Sequence, residues 1–181
     1  MATWRTRCRQ WLWCRARDGN DSLGIDRPLA GGTRPPDVTF GDVAKAIARW
    51  DGDKVRFDIE SASGHSVAID EPPIFGDDTA MRPTEMLLAA LGGCTGLNAV
   101  LLLKKFKQPI KSMEVEVEGE QDKEWPRAFL KIDITFHLGW DGKHDKEAVE
   151  KALDLACNRY CPIHATLSRG TKIEHHSKDA H

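Results

Sequence analysis

The chain has 181 residues, with 26 basic and 28 acidic side chains and a formal charge of −2 at neutral pH. That length holds one domain with a core of its own, and the near-balanced charge gives no electrostatic footprint for nucleic acid. Five cysteines, an odd number, argue against a complete disulfide framework. No apolar signal core lies near the N-terminus. The expected compartment is a reducing cytoplasm, where a thiol pair is catalytic or redox-active rather than structural.

Charge is unevenly spread along the chain. Residues 1–17 carry five arginines and no acid, interleaved with Trp4, Trp11, Trp13, Cys8 and Cys14. Residues 18–42 are rich in Gly, Asp and Pro. Neither part has a helix or strand period, and the second has a linker's composition. A transit peptide would be Arg-rich in this way but also Ser-rich. Residues 1–42 are therefore expected to be an extension outside the native fold, with the natural start near Val43 and the domain spanning 43–181.

From Ala44 the pattern becomes regular. Residues 44–50 are expected to form a first strand, followed by the Asp51-Gly52-Asp53 hairpin signal. Residues 54–60 alternate, with Val55, Phe57 and Ile59 on one face. After the turn Ser61-Ala62-Ser63-Gly64, residues 65–70 form a third strand with His65, Val67 and Ile69 on a shared, inward face. A loop with Pro72-Pro73 and Gly76 leads into the stretch 83–107, around which the chain is organised.

That stretch opens on Pro83-Thr84-Glu85, runs for 18 uncharged residues from Met86 to Leu103, and closes on Lys104-Lys105-Phe106-Lys107. Proline suits a first helical turn, where its missing N–H costs nothing. Acid at the start and lysines at the end match the helix dipole. A membrane span needs about 20 such residues, and Gly92 and Gly96 have the small-xxx-small spacing of membrane helix pairs. The alternating strands on both flanks argue instead for a soluble fold with no membrane. A helix apolar on all sides must then be buried on all sides, inside a sheet sandwich and against a second copy of the chain.

Two more alternating strands follow, at 111–118 and 128–138. The second places Leu130, Ile132, Ile134, Phe136 and Leu138 together. Residues 145–160 read as an amphipathic helix with Val149, Leu153, Ala156, Cys157 and Tyr160 on its stripe. Cys161-Pro162 breaks it, and 162–168 form a short helix with Cys161 at its N-cap. A last strand covers 171–176. The order β-β-β-α-β-β-α-α-β gives an α+β fold of antiparallel sheets around the central helix.

Three cysteines lie in this ordered part. Cys94 sits about three turns into its helix, beyond the reach of the N-terminal dipole, and on residues alone reads as a core thiol. Cys157 lies on an apolar stripe and reads as packing. Cys161, at a helix N-terminus, is placed where a thiolate is favoured. Cys157, Cys161 and His164 lack a fourth ligand at zinc spacing, so no metal is expected.

The segment from Pro83 through Gly92-Gly93-Cys94-Thr95-Gly96, with Arg159-Tyr160-Cys161-Pro162 following, resembles the OsmC/Ohr family. These are the osmotically inducible protein C and organic hydroperoxide resistance proteins. Ser61-Ala62-Ser63-Gly64-His65 is similar to an OsmC-like branch of it. The resemblance spans about 44–176. It implies an OsmC-like fold: an intertwined homodimer of sheets wrapped around two central helices, with active sites at the subunit interface. It implies reduction of organic hydroperoxides, with Cys94 as peroxidatic and Cys161 as resolving thiol. It implies no bound cofactor but an external thiol reductant, a lipoyl dithiol in well-studied members.

The chain departs from the family where the activating groups should be. The family's hydroperoxidases carry a carboxylate ten residues before the first cysteine, held by an arginine of the N-terminal sheet. Here that position is Thr84. The nearest acid, Glu85, is rotated by about 100° around the helix. Arg49 and Arg56 are the candidate arginines, Arg56 being on its strand's polar face. His65 is a further candidate neighbour of Cys94, or else a core-edge histidine satisfied by backbone. The departure keeps a second expectation open: a non-catalytic member of the fold that binds a small hydrophobic molecule at the dimer interface.

Overall fold

The computed structural model describes residues 44–50, 52 and 54–179. The extension expected over 1–42 lies outside the described residues. Lys45–His181 form one compact unit.

Three short strands come first: β1 (Ala46–Trp50), β2 (Phe57–Ser61) and β3 (Ser66–Ile69). They form an antiparallel sheet in the order β1-β2-β3, with Trp50 opposite Phe57 and Phe57 opposite Ile69. All five residues of β1 are exposed. A three-stranded sheet of this size has no core of its own, and Trp50 and Val67 remain 57% and 44% exposed.

The loop from Asp70 to Arg82 is organised by one buried carboxylate. Asp70 is 2% exposed. It accepts hydrogen bonds from the backbone N–H groups of Glu71, Asp77 and Thr79 at 2.8, 3.2 and 3.0 Å, and from the Thr79 hydroxyl at 2.7 Å. The Thr79 donors, above all, hold its carboxyl well below the usual carboxylate range. A side chain at Gly76 would collide with it.

The loop feeds α1 (Pro83–Lys105). Glu85 closes its first turn, accepting from the Arg82 backbone N–H at 2.8 Å and from the Arg82 guanidinium at 2.9 Å. Lys104 and Lys105 end it. Leu91, Gly92, Thr95, Ala99, Leu102 and Leu103 form its buried side. The Thr95 hydroxyl donates to the Leu91 carbonyl at 2.9 Å, so no polar atom is stranded there. Gly92 and Gly96 give the close approach expected of them, towards a strand of this chain. A Cβ at either would lie 3.0 Å from Val117 or 3.2 Å from Val115.

Those valines belong to β4 (Ile110–Gln121), which pairs antiparallel with β5 (Phe129–Trp140). Two helices follow, α2 (Lys146–Leu155) and α3 (Pro162–Leu167), joined by a π-helical turn at Ala156–Tyr160. The chain ends in β6 (Lys172–Asp179). β6 lies parallel to β5, which corrects the expectation of purely antiparallel sheets. The helical crossover carries the chain back to the end at which β5 began, and a strand laid down after such a crossover runs parallel.

The core lies between the β4-β5-β6 sheet, α1 and α2. Ile132, Ile134, Phe136 and Leu138 of β5 meet Leu91, Leu103, Val149, Ala152 and Leu153. Leu130 departs from its expected inward face and is 51% exposed. A register shift between Glu120 and Gln121 brings Phe129 inward in its place, over Gly119 where no side chain obstructs the ring.

Candidate functional site

Cys94 lies on α1 between its buried and its exposed side, and is half-buried. Cys161 reaches it from the other end of the domain. Asp145 caps α2, accepting from the N–H groups of Glu147 and Ala148. The helix then widens into the π turn and stops at Cys161, whose backbone is extended (φ −88°, ψ 107°), as the residue before proline requires. The Cys161 thiol donates to Cys94 Sγ across 2.7 Å. A disulfide bond is about 2.05 Å long, so the pair can close with little movement.

Cys161 is 2% exposed, and the His164 backbone N–H donates to its sulfur at 3.3 Å. The N-cap position is therefore the expected one, but its electrostatic consequence is not. Burial pushes the Cys161 thiol up, its bond to Cys94 pushes it further, and the His164 N–H offsets only part. The result is about 11. Cys161 thus keeps its proton at neutral pH, correcting the expectation of a thiolate. Cys157 is fully buried on the stripe, and burial carries it to about 12.

The supporting candidates lie elsewhere in the chain. Glu85 is spent on Arg82 and on the helix start; Asp78 also pairs with Arg82, at 3.2 Å. Nine residues of helix separate Glu85 from Cys94, about 13.5 Å along the axis and on the opposite side. Arg49 pairs with Glu60 at 2.7 Å, and Arg56 with Thr79 and Asp58. His65 is exposed in the turn before β3, with Nδ1 3.1 Å from the Ser63 hydroxyl. Its expected inward face is corrected here: β3 starts one residue later, at Ser66, and Val67 on the same face is itself 44% exposed. The structure brings Cys94 and Cys161 together and leaves Glu85, Arg49 and His65 apart from them within one chain.

Other features escaped the sequence. Asn98, one turn beyond Cys94, donates from Nδ2 to the Cys94 carbonyl at 2.9 Å and lies 3.9 Å from its sulfur. The signal for it was present: an amide at i+4 from the thiol in an uncharged helix. His164 is 7% exposed and held below its ordinary value, first by burial and then by His175. The Tyr160 hydroxyl is buried with no hydrogen-bond partner among the described residues.

A groove of about 300 Å³ runs between α1 and β4, lined by Glu85, Leu88, Ala89, Gly92, Gly93, Val115 and Val117. It opens on the Gly92 side of α1, about 200° around the helix from Cys94. The glycines therefore do not make a pocket for that sulfur. Among the described residues, the group with converging metal-ligand atoms is Asp133, Glu174 and His176. The Lys131 ammonium already bonds two of them, at 2.8 and 3.0 Å.

Known proteins share this fold. The family described as OsmC-like protein matches residues 76–176. Protein YhfA of Escherichia coli K12 is 36% identical over 117 residues, covering 64% of this chain and 84% of its own length. An OsmC-like protein from Mycoplasma pneumoniae shares the fold with a TM-score of 0.65 at 18% identity, covering 77% of this chain and 98% of its own. The organic hydroperoxide resistance protein OhrB of Bacillus subtilis does so with a TM-score of 0.51 at 21% identity, covering 75% and 98%. With 101 consecutive residues matched, from the loop before α1 into β6, the chain belongs to the OsmC-like protein family.

Proposed function

We propose that this protein is a cytoplasmic thiol-dependent peroxidase that reduces organic hydroperoxides through Cys94 and Cys161. The observation that carries the reading is the 2.7 Å approach of the two sulfurs. The Cys94 thiolate attacks the terminal peroxide oxygen, the O–O bond breaks, and the alkoxide takes a proton from water and leaves as alcohol. Cys94 is now a sulfenic acid. The Cys161 sulfur attacks Cys94 Sγ; the Cys161 proton and the sulfenic hydroxyl leave as water, and a disulfide forms. An external dithiol of the lipoyl type reduces it by exchange and is itself oxidised to its disulfide. Cys94 is half-buried and Cys161 only 2% exposed, so Cys94 is the thiol that a peroxide reaches first.

A second copy of the chain belongs to this reading. The outward side of α1 bears Leu97 and Leu101, 70% and 66% exposed. Gly93, on the same side, has nothing within 4 Å of where a Cβ would stand. A homodimer that covers this side also encloses Cys94, which stands at its edge.

The test is peroxide consumption with cumene hydroperoxide and a dithiol reductant. Cys94→Ser is expected to abolish turnover and sulfenic-acid trapping. Cys161→Ser is expected to leave a trappable sulfenic acid on Cys94 after one equivalent of peroxide. Trapping on Cys161 in the Cys94→Ser variant would reverse the roles. A second reading, a non-catalytic member of the fold that binds a small apolar molecule, is favoured by the groove beside Gly92. It predicts ligand binding that survives Cys94→Ser.

A further inference from the structure

We infer that Asn98 is the positioning residue of Cys94, supplying the polar contact that this chain's Glu85 and Arg49 do not. The inference rests on the reading of Cys94 as the attacking thiol.

Among the described residues, two groups make polar side-chain contact with Cys94 Sγ: the Cys161 thiol at 2.7 Å and the Asn98 amide at 3.9 Å. No charged side chain is among them. Asparagine is a poor helix former, because its side chain competes for backbone partners. It also stands in a segment with no charged residue between Met86 and Leu103, so its presence needs a physical reason. Thr95 in the same turn shows the simpler case: its single O–H is used up on backbone carbonyls. The Asn98 amide nitrogen carries two N–H bonds. That nitrogen stands 2.9 Å from the Cys94 carbonyl oxygen and 3.9 Å from the sulfur, with a donor available for each.

The 3.9 Å separation is long for a bond to a neutral thiol. It leaves space for what the reaction adds: negative charge on sulfur, then an oxygen bound to it. A hydrogen bond to a charged acceptor contributes more than one to a neutral acceptor. The amide contact therefore strengthens as Cys94 reacts. The carbonyl bond holds the amide nitrogen beside the sulfur before the reaction begins.

The measurement is peptide-resolved alkylation of Cys94 by iodoacetamide against pH in the reduced full-length protein, for the parent chain, Asn98→Ala and Asn98→Asp. Asn98→Ala is expected to move the profile to higher pH and to slow alkylation at pH 7 about tenfold, the rate equivalent of about 1.4 kcal/mol. Asn98→Asp, which replaces donors with acceptors, is expected to move it further. Alanine is the better helix former, so thermal stability should hold or rise, separating the effect from unfolding. An unchanged profile in a folded Asn98→Ala protein overturns the inference. Alkylation needs no peroxide, so a parent protein that shows the profile but consumes no hydroperoxide fails the proposed function and not this one.

Discussion

The two sides of α1 have nearly the same composition and opposite fates. Leu91, Ala99 and Leu103 are fully buried against the β4-β5-β6 sheet and α2. Leu97 and Leu101, one or two turns away, meet water over about two-thirds of their surface. Burial of apolar area drives folding whichever chain supplies the cover. This chain covers the inward side and leaves the outward side exposed. Cys94 stands on the line between them and is half-buried.

Truncation on each side tests that difference most strongly. Leu103→Ala is expected to destabilise the protein by about 2–5 kcal/mol through the cavity it leaves, at any protein concentration. Leu97→Ala should cost little in a monomer. In a dimer it should cost a similar amount and shift the unfolding midpoint with protein concentration. Urea unfolding across a hundredfold concentration range distinguishes the two. A Leu97→Ala protein with a concentration-independent midpoint equal to that of the parent would remove the second copy from the outward side.

Cys157 sharpens the comparison from the inward side. Cys157→Ser buries a hydroxyl where the thiol packed, at a cost of about 1–3 kcal/mol. Peroxide turnover should stay near the parent value if, as proposed, the reactive pair is Cys94 and Cys161. Loss of turnover in the folded variant would place Cys157 in the chemistry.

Alkaline pH weakens the same inward side. Folded Cys161 and Cys157 ionise near 11 and 12, while an unfolded thiol ionises near 8.5. The folded state therefore binds more protons above that value. Its stability is complete below about pH 8.5 and falls as pH rises towards 11, by at most about 1.4 kcal/mol per thiol per pH unit. Cys161→Ser should flatten the slope in urea titrations of the reduced protein between pH 8 and 10.5.

The smallest expected effect carries the sharpest sign. Gly93→Ala gains about 1 kcal/mol of helix propensity if the outward side meets water. If a second α1 packs against Gly93, the added methyl destabilises instead. Gly92→Ala provides the inward reference, since its Cβ would stand 3.0 Å from Val117.

Local patterns were legible where one rule governed them. The alternation of Val115 with Glu116 and of Ile132 with Asp133 placed strands correctly. Pro83 and Glu85 located the start of α1 through capping, and Cys161-Pro162 located the end of the π turn that continues α2 through the proline's effect on the residue before it. The Leu130-for-Phe129 exchange was not legible, because it depends on a bulge set by the partner strand. His65 shows the limit of parity: a strand that begins one residue later leaves its first expected residue in the turn, and Val67 on the same face is itself exposed.

By itself the sequence determined an uncharged helix between two sets of alternating strands, with two thiols placed in separate elements. These follow from periodicity and from the backbone limits of proline and glycine, which act over a few residues. Only the tertiary structure decided that the sulfurs stand 2.7 Å apart. Only it decided that β6 runs parallel to β5 and that the Cys161 thiol is neutral rather than charged. Distance, strand direction and desolvation depend on residues remote in the chain. Cys94 and Cys161, 67 positions apart, come within reach of each other only when α1 and the π turn after α2 close on the same core.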